Sequence, residues 1–308
     1  MEGSIPRELH RLRSDARLRN LLSDGNLFVR NPRSMGNWDD EHGPESSFVN
    51  TITSSDEMAR MTRRPAEALD DTHTVSYFDA KTPCYYQGFY SHMVSLLNTL
   101  AKEEDSLVDI GCGTGQTLQL ISGQTRIRNL FGIDPSLNSL VEARNKGDFT
   151  LIPGSILDDA LVASFGPRFR FAVLAFVLHH LIGRTRVESW RRAQAALTNA
   201  TCLLQQGGYL FVVEEIVHPS FVAGYAFYLK KLFSHISAER IDPLKTDFSL
   251  GAPVVSYLTT YQLRRMVSGT LGLRVVNMHA QEKALRRVYR LAGINRIATV
   301  TLVAQKTL

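Results

Sequence analysis

The chain is 308 residues long, 44% hydrophobic and 21% charged, with a formal net charge of +5. That length buries one substantial core and an appendage, and no run approaches the roughly eighteen uninterrupted apolar residues of a membrane span. Three cysteines, Cys84, Cys112 and Cys202, stand apart with no C-x-x-C pair, which argues against a disulfide framework and a zinc site.

Residues 1–75 read as an extension ahead of the main domain. Leu9, Leu12, Leu18, Leu21 and Leu22 sit among arginines at the spacing of one amphipathic helix over about residues 6–24. Asn31, Pro32, Gly36, Gly43 and Pro44 then mark loop. The start lacks the apolar core of a signal peptide, and Glu2, Glu8 and Asp15 among the arginines argue against a transit peptide. A cytoplasmic protein is expected.

From Tyr77 the chain turns aromatic, with Phe78, Tyr85, Tyr86, Phe89 and Tyr90. Met93, Val94, Leu96, Leu97 and Leu100 continue it as a helix with a broad apolar face. Packing of that helix on a sheet is one reading of the aromatics. The other is that Tyr85 or Tyr86 covers a bound ligand.

Leu107, Val108, Asp109 and Ile110 form a strand-like run that passes directly into Gly111, Gly113 and Gly115. Alternating glycines allow positive φ and a close approach of backbone to ligand. The dinucleotide fingerprint G-x-G-x-x-G fails because its third glycine falls on Gln116, and no lysine follows as in a phosphate loop. A carboxylate ahead of the glycines suits a ligand that carries an ammonium and a sulfonium. Asn129, Leu130, Phe131, Gly132 and Ile133 then lead to Asp134, an acid placed to accept a ribose diol or to cap the helix that begins near Ser136.

The run D-x-G-x-G-x-G from Asp109 to Gly115, followed by Asp134, resembles the first motifs of the class I S-adenosylmethionine (SAM)-dependent methyltransferases, of small-molecule type. The resemblance covers roughly residues 90–308. It implies an α/β fold with a doubly wound, mostly parallel seven-stranded sheet and one antiparallel edge strand. The methyltransferase domain would span residues 76–308, with a cap insertion at about 216–258 and residues 1–75 as the partly helical extension. The implied cofactor is SAM, with S-adenosylhomocysteine as product, bound by Asp109, Gly111, Gly113, Gly115 and Asp134. Tyr86 would cover it, and Ser155 and Ile156, in the turn after the third strand, would flank the adenine.

Further elements alternate as the resemblance requires. Short helices are expected over about residues 116–121 and 136–146, and a strand over 149–152. The continuous apolar run from Phe171 to Leu178 reads as a central strand covered on both faces, ending in His179 and His180. Ala172 stands where many relatives carry an acid. Trp190, Ala193, Leu197, Ala200 and Leu204 mark a helix closed by Gly207 and Gly208, and a fifth strand runs from Tyr209 to Glu214 and Glu215. Residues 216–258 are rich in aromatic and basic side chains, among them Phe221, Tyr225, Phe227, Tyr228, Lys230 and Lys231. Thr259 or Thr260 caps the next helix, and strands over 273–278 and 298–304 close the sheet.

The candidate catalytic residues are His180, His179, Glu215 and Glu214. Histidine suits a general base because its reference pKa, about 6.5, lies near working pH, and a carboxylate can orient an acceptor. Alternation along a strand turns one member of each pair toward the acceptor, with His180 slightly preferred. No metal is called for. The expected activity is methyl transfer to an O, N or C atom of a small-molecule acceptor. The alternatives are an RNA or protein methyltransferase, or a protein of this fold that binds SAM but catalyses another step. Scattered basic residues argue against a nucleic-acid partner, and a homodimer is compatible with the sequence.

Overall fold

The computed structural model describes residues 87–233, 254–285 and 287–307. The expectations for residues 1–75, for Tyr85 and Tyr86, and for positions 234–253 of the insertion lie outside the described residues.

In chain order the elements are α1 (Gln87–Leu100), β1 (Ser106–Ile110), α2 (Gln116–Gln124), β2 (Asn129–Asp134), α3 (Leu137–Arg144), β3 (Thr150–Pro153) and α4 (Asp159–Phe165). There follow β4 (Phe169–Ala175), α5 (Arg186–Leu203), β5 (Leu204–His218), α6 (Ser220–Phe233), α7 (Thr260–Ser268), β6 (Leu273–Glu282), α8 (Arg287–Leu291) and β7 (Arg296–Lys306). The strands form one seven-stranded sheet in the order β3-β2-β1-β4-β5-β7-β6. Pairing is parallel from β3 to β5, and β7 runs antiparallel to both β5 and β6. The reversed strand is therefore inserted one place in from the edge, and the β6–β7 pair forms the antiparallel border.

Two cores cover the sheet. Leu107, Phe171, Val173, Phe211 and Val213 pack with Met93 and Leu97 of α1 and Leu118 and Ile121 of α2. Alternate residues of the same strands, among them Val108, Ile110, Ala172, Leu174, Leu210 and Val212, pack with Ala193, Ala196 and Leu197 of α5 and Leu263 and Val267 of α7. Strands β1 and β4 are apolar on both faces because helices cover both. Side-chain caps start α3, α4, α5 and α7. The Ser136 hydroxyl accepts from the Ser139 amide at the start of α3, and Thr259 and Gln262 form a capping box on α7.

Two boundaries differ from the sequence reading. Helix α5 ends at Leu203, and β5 begins at Leu204, before the Gly207–Gly208 pair, where a register shift breaks its ladder with β4. Strand β4 stops at Ala175, three residues earlier than its apolar run, because Phe176 takes φ 59° and turns the chain. Leu178–His180 then form one turn of 3-10 helix. His179 and His180 thus lie on a turn rather than a strand end, and strand alternation does not govern where they point. No helix among the described residues is long and apolar enough to cross a membrane.

Candidate active site

The glycine loop and the end of β2 are tied together through Asp134. One carboxylate oxygen accepts from the Gly113 amide and the other from the Ser136 amide, each at 2.8 Å. Gly111 and Cys112 both donate to the Ile133 carbonyl, at 2.7 and 3.1 Å. The Gly154 amide donates to the Asp134 carbonyl at 3.0 Å, which brings the turn holding Ser155 to the same sheet end. The Ser155 hydroxyl accepts from the Leu157 amide at 3.2 Å. Ile156 packs its side chain into the α5 core, and its carbonyl accepts from Asn199 Nδ2 at 2.8 Å.

The three loop glycines have φ of 71°, 51° and 79°, a region side chains disfavour, and they differ in what surrounds them. A Cβ on Gly111 would stand 2.7 Å from Val177 Cγ2, and one on Gly115 would stand 2.8 Å from Ala143 Cβ. A Cβ on Gly113 would meet nothing within 4 Å. Gly111 and Gly115 are packing glycines, whereas Gly113 borders open space.

Asp109, 1% exposed on β1, points to the α1 side of the sheet, and its Oδ2 has no hydrogen-bond partner. Burial, and then the Asp134 carboxylate, push its pKa well above the usual range. Tyr90 of α1 lies nearby. Its hydroxyl accepts from Thr117 Oγ1 at 3.3 Å, and its ring meets Phe176 edge-on with centroids 6.0 Å apart. Burial raises the Tyr90 pKa, opposed by the Thr117 bond and reinforced by the Asp109 and Glu214 carboxylates.

A second polar cluster forms where β4 and β5 end. Glu214, 1% exposed, accepts from the Leu178 amide at 2.6 Å through Oε1, and from His179 Nδ1 at 2.5 Å through Oε2. An ionised carboxylate only accepts, so the contact orients the ring with Nδ1–H toward Glu214 and Nε2 away from it. The His179 ring stacks on Tyr257 at 5.5 Å and lies 4.1 Å from the His180 ring, centroid to centroid. Its carbonyl accepts from the Ser256 amide at 2.8 Å. Burial, with His179 and the Lys230 charge, pushes the His180 pKa well below its ordinary value, so this ring stays neutral. Glu215 points to the other sheet face and pairs with Lys283.

Comparison with known proteins follows this geometry. Residues 108–210 match the family model described as a methyltransferase domain. That match spans about a third of the chain, and the fold around it is similar to that of solved methyltransferases. A solved complex from Haloferax volcanii between a methyltransferase activator and a methyltransferase is similar at 15% identity, over 77% of this chain and 97% of that one, with a TM-score of 0.53. A SAM-dependent methyltransferase from Methanosarcina mazei is 20% identical over 69% of this chain and 97% of its own, with a TM-score of 0.47. One from Thermotoga maritima, described as a possible histamine N-methyltransferase, is 17% identical over 77% and 98%, with a TM-score of 0.47. A search of the curated proteins found no match.

Several residues around this site were not assigned a role from the sequence. Phe176 is a non-glycine residue at positive φ, a conformation concentrated at functional sites. Arg186, at the start of α5, donates to the Ser220 carbonyl at 2.9 Å and to the Tyr257 carbonyl at 2.7 Å. It stands over the Trp190 ring, and burial pulls its pKa down. Lys230 is 3% exposed on α6, and Lys231 donates to the Gly183 carbonyl at 2.7 Å. Lys230 had a sequence signal. Ala223, Phe227 and Lys230 follow i, i+4, i+7 spacing and share the buried face of α6. No group of three or more His, Cys, Asp or Glu among the described residues is placed to hold a metal ion.

Proposed function

We propose that this protein transfers a methyl group from SAM to an O or N atom of a small-molecule acceptor. One observation carries the reading: the buried, unpartnered Asp109 oxygen stands beside a glycine loop whose middle residue leaves open space. A buried carboxylate with a raised pKa regains its charge when a cation arrives, and the donor carries both an ammonium and a sulfonium. The residues present fit SAM. Asp109 would receive the ammonium, Asp134 the ribose hydroxyls and Gly113 the close approach of backbone, while Gly111 and Gly115, packed against Val177 and Ala143, would shape the loop. The turn at Ser155 and Ile156 would border the adenine.

Bound SAM supplies an electrophilic methyl group on sulfur. This chain's own groups orient the acceptor, exclude water and manage its proton. His179 would take the acceptor proton at Nε2, while Glu214 holds Nδ1–H, fixes the ring and stabilises the imidazolium that forms. His180, kept neutral, is a packed neighbour of the His179 ring rather than the base. Glu215, engaged with Lys283, is assigned no proton transfer. Tyr90, Phe176 and Tyr257 enclose the cluster in apolar surface.

The catalytic unit in this reading is residues 76–308, with 216–258 as a cap on the acceptor side. Support for the cap comes from α6, which Lys231 fastens to Gly183 and Arg186 fastens to α5. A base only 6% exposed suits a small acceptor better than a folded macromolecule. The test is calorimetric titration with SAM, followed by transfer of isotope-labelled methyl to a metabolite extract, to total RNA and to protein. Label in metabolites supports the proposal. Label only in RNA or protein overturns the acceptor class, and tight SAM binding with no transfer to any pool overturns the activity.

A further inference from the structure

We infer that the outward face of α6 binds the surface of an anionic lipid bilayer. The helix is amphipathic in the reverse sense to a helix on a water-facing surface. Its inward face carries Ala223, Phe227 and the buried Lys230. Its outward face carries Phe221, Tyr225, Tyr228, Leu229 and Leu232, all between 48% and 80% exposed. These positions follow i, i+4, i+7, i+8, i+11 and make one stripe along the 14-residue helix. Helices on a soluble surface turn that stripe inward. A contiguous exposed apolar patch of this size marks an interaction surface.

The patch continues onto α8. Val222 and Tyr289 pack on the same small core, around Ala223 and Ile294, and Leu291 of α8 is 89% exposed. Charge then selects the occupant. Arg287 and Arg290 are exposed on α8, and Arg184 is exposed beside the Gly183 carbonyl that Lys231 binds. Neither α6 nor α8 contains a carboxylate. Aromatic and leucine side chains edged by arginines can sit among acyl chains while the cations meet lipid phosphates. A second copy of this chain is a poorer occupant. A two-fold contact through this patch would set the α8 arginines of the two copies near each other, and neither α6 nor α8 supplies an acid to pair with them.

The test is co-sedimentation of the full chain with vesicles of phosphatidylcholine alone and with vesicles about one-third phosphatidylglycerol. The expected result is binding to the anionic vesicles only, weakened by salt. The double variants Tyr225→Glu/Leu232→Glu and Arg287→Glu/Arg290→Glu should each lower the bound fraction about tenfold, with unfolding temperature near wild type because these side chains face outward. No binding to either vesicle overturns the inference, as does binding that both double variants retain. A dimer seen by light scattering, and split by Tyr225→Glu/Leu232→Glu, overturns it in favour of a second copy.

Discussion

Glu214 holds His179 Nδ1 at 2.5 Å with one oxygen and the Leu178 amide at 2.6 Å with the other, so one buried side chain sets both the ring and the turn that carries it. The two strand ends are locked in register at the point where β4 stops. Ring orientation, tautomer and loop shape all depend on this contact. In its proposed role as base, a ring held in this way would lose little entropy when an acceptor arrives.

The first prediction separates chemistry from architecture. His179→Ala should lower turnover by roughly 10²–10⁴, the usual worth of general acid–base catalysis, with SAM affinity near wild type. Glu214→Gln preserves shape and should lose part of the same factor. Glu214→Ala strands the Leu178 amide and the imidazole N–H, and should cost ~3 kcal/mol of stability in thermal or denaturant unfolding. Turnover within a few-fold of wild type in His179→Ala would leave proximity alone as the source of rate.

Much of this arrangement was legible in the sequence. Glycines at alternating positions after an apolar run, and an acid one strand later, give the loop and its partner, because each is a local pattern. The alternation of helix and strand was legible from periodicity, and the seven-stranded sheet was what the family resemblance implied. The end of β4 was not legible. Apolar residues continue through Leu178, and nothing local says that Phe176 adopts φ 59°. His179 and Glu214 were each visible, but the bond between them spans 35 positions and depends on the β4–β5 register. Arg186 and Tyr257 meet across 71 positions, a distance at which periodicity carries no information.

Asp109 links the site to pH. Its folded pKa is raised by burial and by Asp134, so the folded state without ligand binds more protons than the unfolded chain. Stability should then fall as pH rises from the ordinary carboxylate range through the raised pKa. Asp109→Asn should remove that dependence and raise the melting temperature of the ligand-free protein at neutral pH. SAM needs the charged carboxylate, so its affinity should fall as pH drops through the same window. The variant should bind about 1–3 kcal/mol more weakly at neutral pH, with a flat pH profile. Calorimetric titrations across pH check both. A wild-type profile already flat would remove Asp109 from the ammonium site.

The glycines should respond differently from one another. Gly113→Ala has room for its methyl group but takes φ 51° and fills open space beside the loop. It should cost ~1 kcal/mol of stability and lose most SAM affinity. Gly115→Ala places a methyl 2.8 Å from Ala143 Cβ and 3.0 Å from its Cα, so α3 must shift and stability should fall by about 1–3 kcal/mol. Paired unfolding and titration data distinguish the two. Equal loss of stability in both variants would mean that Gly113 is a packing glycine as well.

Arg186 should matter at a distance from the chemistry. Its guanidinium joins three pieces: α5, the first residue of α6 and the segment that carries Tyr257. Tyr257 stacks on His179, and the Ser256 amide binds the His179 carbonyl. The ring is thus fixed by Glu214 of β5 and by a segment that Arg186 holds. Arg186→Met keeps the apolar stem against Trp190 but leaves one buried and one part-buried carbonyl without their charged donor, at ~2–4 kcal/mol of stability. Arg186→Lys retains charge but not the fork, and should recover one of the two contacts at most. Neither change touches the glycine loop, so SAM affinity should stay near wild type while turnover falls in both, less in the lysine variant. Amide exchange should quicken at Tyr257 and at the start of α6 in Arg186→Met and not in α2 or α3. Loss of SAM affinity in step with turnover would place Arg186 in general stability instead of in the positioning of His179.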